Sequence, residues 1–400
     1  MKIAFFVADY PNTSETFVAR QIAGMHALGH EVVIIAGRHH YGESDPLDAQ
    51  IPIYAIRRKG SRIAALLRVV GQSLTSADAR RRLGAIIRSG IGRQRAAVAD
   101  MVMTPANLGD YDAIVAHFGP AGVRAMDLRQ AGVLGGPLAV VFHGKDMSDH
   151  CTLKLQLRHY CRLFREAELL LPISELWRRR LLDWGAPPER ITVLRMGVDI
   201  DRFEPAEDDR PLHRPLQALS VARLVEKKGL RYAIEGVRGA AAMIDFDIIG
   251  YGPLEGELAA LAKAGGNRIR LLGKRTHAEV FQRLAHADVF LLPSVVAAGG
   301  DMEGIPVALM EAMALGVVVI ASRHSGIPEL IEDGVDGLLV DERSGDQIAV
   351  ALDRLAAGKI DIAGLRRRAR AKVARDFNNA ILDRELEALL ARIGPARVGR

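Results

Sequence analysis

Short apolar runs alternate with amphipathic helical segments along almost the whole chain, and the alternation comes in two successive series. Strands buried on both faces read as apolar runs and their crossovers as helices, so this pattern calls for parallel sheets covered by helices. In the first series Ile3 to Val7 reads as a strand, and Phe17 to Leu28 as a helix whose Val18, Ile22, Met25 and Leu28 share one face. Glu31 to Ala36, Ala113 to Ala116, Leu138 to Phe142 and Leu169 to Leu171 follow as strands. The second series runs through Ala218 to Val221, Phe246 to Ile249, Ile269 to Leu272, Val289 to Leu292, Val317 to Ala321 and Gly337 to Val340. Between the two, Asp199 to Pro215 carries Pro205, Pro211 and Pro215 and the acidic run Glu207-Asp208-Asp209, the composition of a linker. The expected fold class is α/β, with two doubly wound, Rossmann-like domains. Such sheets bind ligands at the carboxyl ends of their strands, so a cleft shared by both halves is the natural site.

A length of 400 residues suits two domains. No apolar run reaches the roughly 20 residues of a membrane span. The chain goes straight into Lys2-Ile3-Ala4 with no basic leader or cleavage site, so the expected location is the cytoplasm. Cys151 and Cys161, the only cysteines, lack metal-ligand spacing and are expected to be packing residues in a reducing compartment. Charge is unevenly placed: from Arg57 to Arg95 eleven basic residues face one acid, Asp78, giving this stretch +10 in a chain of net +6. Apolar residues interleave with these cations, as in amphipathic helices that lie on an anionic membrane surface or form a solvated basic face. Nucleic acid is not an expected partner, because aromatics make up only 5% of the chain and no stacking platform accompanies the patch.

The chemistry-bearing residues gather at strand ends. Glu303 and Glu311 flank a glycine-proline turn into an apolar helix, in the run Glu303-Gly304-Ile305-Pro306 through Glu311. A carboxylate beside Leu309, Met310 and Met313 calls for a partner, since burying an unpaired charge is costly, and a hydroxyl-rich ligand would serve. Arg223 and Lys228 lie in a strand-to-helix loop closed by Gly229, a good arrangement for a diphosphate. Gly250 and Gly252 permit close backbone approach after another strand but lack the third glycine of a dinucleotide fingerprint. Leu138 to Phe142 delivers His143-Gly144-Lys145-Asp146 at its carboxyl end. After the first strand, Thr13, Ser14 and Glu15 precede a helix, with Asn12 and Glu15 at capping-box spacing. Asp199-Ile200-Asp201 and Asp245-Phe246-Asp247 have no further ligands nearby, so no essential metal or cofactor is expected.

These strings occur in the order of a known family. The Glu303 to Glu311 run resembles the Glu-x7-Glu signature of retaining, nucleotide-sugar-dependent glycosyltransferases of family 4. Arg223 to Gly229 resembles their phosphate-binding segment, with Ala222 where they usually have glycine, and Gly250 to Pro253 resembles their glycine-proline turn. The His143 element and the Ser14-Glu15-Thr16-Phe17 string are similar to those of colanic-acid and exopolysaccharide enzymes. The resemblance implies a GT-B architecture: an acceptor domain over 1–200, a nucleotide-sugar domain over 201–380, and a last helix within 381–400 returning to the first. It implies transfer, with retention, from a UDP- or GDP-sugar to a hydroxyl of a glycan or lipid-linked glycan in surface polysaccharide assembly. Arg223 and Lys228 would hold the diphosphate, Glu303 and His143 the transferred sugar, and Glu311 the ribose. Thr13, Ser14, Glu15, Lys145, Asp146, Gly250, Gly252, Gly304, Ile305 and Pro306 would complete the substrate sites. A nucleotide-sugar epimerase of the same fold and a non-catalytic glycan-binding protein are the alternatives.

Overall fold

The structure is a computed structural model and describes residues 1–12, 15–39, 50–55, 108–204, 207–266 and 268–394. Thr13, Ser14 and the basic stretch from 57 to 95 lie outside the described residues. The first sheet is built from β1 (Lys2–Tyr10), β2 (Glu31–His39), β3 (Ile53–Ala55), β5 (Ala113–His117), β7 (Leu138–Phe142) and β8 (Leu169–Pro172), in the order β3-β2-β1-β5-β7-β8. Short strands β4 (Gly109–Asp110) and β6 (Leu134–Gly135) pair beside it. The second sheet contains β9 (Leu216–Val221), β10 (Ile244–Ile249), β11 (Ile269–Gly273), β12 (Val289–Leu292), β13 (Val318–Ser322) and β14 (Leu338–Val340), ordered β11-β10-β9-β12-β13-β14. Every pairing in both sheets is parallel.

Alternation along β12 shows why these runs are apolar throughout. Phe290 and Leu292 face one core of the second lobe, while Val289 and Leu291 face the other. Differences from the sequence reading lie mainly at strand ends. β1 and β2 continue past Val7 and Ala36, since strand pairing extends to Tyr10 with His39 without needing apolar side chains there. The short edge strand β3 carried too little periodicity to be read. Cys151 and Cys161 are exposed, contrary to expectation. Both sit on the outer side of the helix His150–Glu166, which turns Tyr160, Leu163 and Phe164 inward instead.

Two crossovers join the lobes and run side by side. The Val198 N–H donates to the Phe377 carbonyl at 2.9 Å, and the Asn379 N–H to the Val198 carbonyl at 3.0 Å. Beyond them the last helix, Asn379–Ile393, buries Leu386, Leu389 and Leu390 in the core of the first lobe. Arg20, on the helix Thr16–Ala27, fixes this junction by pairing with Asp199 of the first crossover and, at 3.1 Å, with Asp383 of the last helix. Burial still outweighs that pairing and raises the Asp383 carboxyl to about 6.

Replacing Arg20 with alanine should therefore strand Asp383, while Asp199 keeps Asn379 and Arg202, and destabilise the protein by roughly 2 kcal/mol near pH 7.5. The loss should shrink below about pH 6, where an unpaired Asp383 takes up a proton. Urea denaturation at the two pH values tests this, and an equal loss at both would rule out the carboxylate as its cause.

Candidate functional site

Strand order reverses between β1 and β5 in one sheet and between β9 and β12 in the other. At such a reversal neighbouring loops leave in opposite directions and a crevice opens. Glu15, Phe118, His143, Arg223 and Glu303, from the ends of β1, β5, β7, β9 and β12, line one cavity of about 290 Å³ between the lobes. Lys145, Lys228, Gly304, Ile305 and Pro306 also stand on its wall.

The second lobe supplies the charge. Gly229 adopts φ 62°, and a Cβ there would lie 1.8 Å from the Pro293 carbonyl oxygen, so glycine lets the lysine loop close onto the end of β12. Lys228 Nζ then reaches 2.9 Å from Glu303 Oε1. Glu303 is 93% shielded from solvent, being 7% exposed. Burial pushes its carboxyl up, but Lys228, Lys227 and a hydrogen bond outweigh this and hold it below the usual range. Lys227 is bound to Asp301 at 3.1 Å. Arg223 is exposed to the cavity and has no carboxylate partner among the described residues. Next to it begins the helix Val307–Ala314, with no side-chain cap and with Val307 and Ala308 on the cavity wall. Its first-turn amides add partial positive charge.

Gly250 and Gly252 lie behind this wall. Cβ atoms on them would sit 1.8 Å from the Ala222 oxygen and 2.5 Å from the Leu224 oxygen, so they pack the Arg223 loop rather than line the cavity. Glu311, a turn into the helix, is also off the cavity wall. Burial alone raises its carboxyl to about 7, and no side-chain donor reaches it among the described residues.

In the first lobe Asp146 is buried and accepts from the N–H groups of Gly119 at 2.8 Å, His143 at 3.1 Å and Gly144 at 2.9 Å. It thereby shapes the loop that presents His143 and Lys145. Phe118, at φ 72° and ψ 140°, holds a backbone conformation that only glycine adopts easily, and its ring lies 4.4 Å from that of His143. Glu15 faces Arg223 and Lys145; burial and Asp9 raise its carboxyl to about 7 against the pull of those two cations.

Several residues outside the sequence reading shape this site. The Glu303 N–H donates to His324 Nε2 at 3.1 Å, which leaves the His324 Nδ1 proton to donate to Glu342 Oε1 at 2.6 Å. Glu342 Oε2 accepts from the Val296 N–H at 3.0 Å, and Ser325 Oγ donates to the Glu303 carbonyl at 2.6 Å. Glu329 crosses between lobes and accepts from the Glu175 and Leu176 N–H groups at the start of the helix Glu175–Asp183. His117, which ends β5 as His143 follows β7, was the one of these with a readable signal. In the two Asp-x-Asp strings, Asp199 pairs with Arg20 and Asn379, Asp245 with Arg268, and Asp247 with Arg270 and Arg283.

A folded-state value near 7 against 4.5 in the unfolded chain makes Glu311 a burden as pH rises through that window. Glu311→Gln should stabilise the ligand-free protein by on the order of 2 kcal/mol at pH 8, and by much less at pH 5. Melting curves at both pH values check this, and a variant less stable than the parent at pH 8 would contradict it.

The chain resembles known proteins over nearly its whole length. A family described as "Glycosyl transferase 4-like domain" matches residues 12–197, and one described as "Glycosyl transferases group 1" matches residues 215–357. The amylovoran biosynthesis glycosyltransferase AmsK of Erwinia amylovora is 40% identical over 98% of this chain and 100% of its own. WcaL of Escherichia coli K12, assigned to colanic acid biosynthesis, is 40% identical over 98% and 99%. The crystal structure of Anabaena HepE in complex with UDP superposes with a TM-score of 0.73 at 19% identity, covering 98% of this chain and all of that one. With one family matching each half and similarity to AmsK and WcaL over 98% of the chain, the chain belongs to the group 1, family 4-type glycosyltransferases and has their GT-B fold.

Proposed function

We propose that this glycosyltransferase moves a sugar from a UDP- or GDP-sugar to a hydroxyl of a glycan or lipid-linked glycan during exopolysaccharide assembly, with retention of anomeric configuration. The observation that carries the donor reading is that Arg223, which has no ion-pair contact among the described residues, shares one cavity wall with Lys228 and the start of the helix Val307–Ala314. That wall suits a diphosphate, and one neighbour of the same fold was crystallised with UDP. The names of AmsK and WcaL support the polymer class.

Cleaving the bond between sugar and diphosphate develops negative charge on the leaving phosphate. Arg223, Lys228 and the amides at Val307 and Ala308 stabilise that charge where it forms. Glu303, kept ionised by Lys228, accepts hydrogen bonds from sugar hydroxyls. The leaving phosphate takes the acceptor's proton on the same face, so no carboxylate need act as a nucleophile, unlike the paired carboxylates of glycosidases. Glu311 meets the ribose, whose hydroxyls would supply the partner that its buried carboxyl lacks. With cations placed this way, no essential metal enters the reaction.

In EDTA, UDP or GDP and their sugars should raise the melting temperature, and Arg223→Ala should abolish the shift. The same variant should lower kcat about 10²- to 10³-fold, more than Glu303→Gln does, and the product anomer read by NMR should match the donor's. No shift with any nucleotide in the intact protein would sink the donor assignment.

We further propose that the enzyme works in the cytoplasm against the membrane's inner face, with the basic stretch from 57 to 95 on anionic lipid. Co-flotation with vesicles containing phosphatidylglycerol but not with pure phosphatidylcholine is expected, and absence from both would refute it.

A further inference from the structure

His143 stands on the cleft wall, and the reaction just outlined gives no role to His117 behind it. His117 is fully buried at the end of β5, and its Nδ1 lies 3.0 Å from His143 Nε2. The two rings meet edge to edge, with centroids 5.2 Å apart and planes 23° from parallel, and the His117 ring lies nearly parallel to that of Phe5 with centroids 5.9 Å apart. Phe118 and Phe17 lie 4.4 and 4.8 Å from the His143 ring, a clamp that opposes its flipping. Both imidazoles are neutral: burial holds His117 down at about 3, and burial with His117 alongside holds His143 well below the ordinary histidine range.

A neutral pair has one proton on the line between the rings, and two arrangements are possible. If His143 donates from Nε2, His117 must carry its proton on Nε2, an atom that is buried and has no partner among the described residues. If His117 donates from Nδ1, that same Nε2 is a bare lone pair. Orphaned buried N–H groups are rarer in folded proteins than under-satisfied acceptors, a rule established for the backbone that extends naturally to an imidazole. The second arrangement therefore prevails, and it leaves the His143 proton on Nδ1. That nitrogen is not turned toward His117, is not among the buried unpartnered atoms, and belongs to a side chain on the cavity wall.

We propose that His117 is a positioning residue that locks His143 in its Nδ1–H tautomer, so that His143 presents a hydrogen-bond donor to an oxygen of the sugar or of the leaving phosphate. The catalytic half of this statement rests on the cleft being the transfer site, whereas the tautomer does not. Glu15 and Glu303 are the acceptors of the same cavity, so a donor at His143 complements them.

Long-range proton–nitrogen NMR of the histidine-labelled, substrate-free protein tests the lock, with His143 signals assigned by their loss in His143→Gln. The expected pattern is a protonated Nδ1 and bare Nε2 on His143, unchanged from about pH 5.5 to 8.5. His117→Phe should release His143 into a mixture of tautomers and lower kcat for donor turnover about 10- to 100-fold with little change in KM. His117→Asn, whose amide N–H stands near the place of Nδ1, should restore both readouts. A protonated Nε2 on His143 in the intact protein, or the same His143 tautomer in folded His117→Phe or His117→Asn as in the parent despite lost turnover, overturns the proposal. Because the spectra need no sugar, failure of the transferase reading and failure of the lock are seen separately.

Discussion

A buried ion pair between Lys228 and Glu303 is the interaction on which the rest of the cleft depends. Ionised groups taken out of water are stable only when paired and held, and each partner here comes from a different loop of the second lobe. The lysine loop reaches the glutamate because Gly229 packs against Pro293. The glutamate is held from behind by His324, which accepts its backbone N–H and is itself fixed by Glu342. Glu342 also ties down Val296, so the ends of three strands, β12, β13 and β14, are joined through one carboxylate. These contacts place the pair in the ligand-free structure, as the proposed electrostatic stabilisation of a leaving group requires.

The two lobes meet next to this pair. A Cβ on Gly304 would lie 2.4 Å from the His143 oxygen, the Met302 N–H donates to Ser148 Oγ at 2.9 Å, and the His150 N–H donates to the Gly299 oxygen at 2.9 Å. The loop that carries Glu303 is therefore also a contact with the first lobe, and Glu329 adds a second by capping the helix Glu175–Asp183. Lobe apposition and the placing of the Glu303 carboxylate are therefore linked through one loop. A shift of the first lobe would disturb His143 and Glu303 together.

What the sequence revealed follows from the range of the interactions concerned. Arg223, Lys228, Glu303 and His143 were legible because a strand end followed by a glycine loop is a local pattern and sheet topology places all such ends at one crevice. Lobe architecture was legible for the same reason, since apolar runs and helical periodicity are local. His324, Glu342, Asp146 and Glu329 were not readable as site-shaping groups, because each acts on a backbone amide whose position only the tertiary fold defines. Asp146 looked like a cleft residue by its place in the string, yet three inward amides claim its carboxylate. Gly250 and Gly252 looked like ligand-contacting glycines, and their tight contact turns out to be with the Arg223 loop. Cys151 and Cys161 misled because a helix segment holds inner and outer positions, and only packing tells which is which.

Three carboxyl groups around the cleft show how environment divides one chemistry into different roles. Glu303 is the most buried and yet is held below its usual range, because Lys228 and Lys227 are beside it. Glu311 has no such counter-ion among the described residues and rises to about 7 through burial. Glu15 reaches about the same value although Arg223 and Lys145 pull it down, because burial and Asp9 push harder. Bound diphosphate would change this balance: by neutralising Arg223 it would remove a cation that now lowers the Glu15 carboxyl and add negative charge nearby. Both effects drive Glu15 toward its neutral form, in which it can donate as well as accept a hydrogen bond. On the proposed function, donor binding in the second lobe would thus shift the hydrogen-bonding character of Glu15 in the first lobe across the cleft through charge.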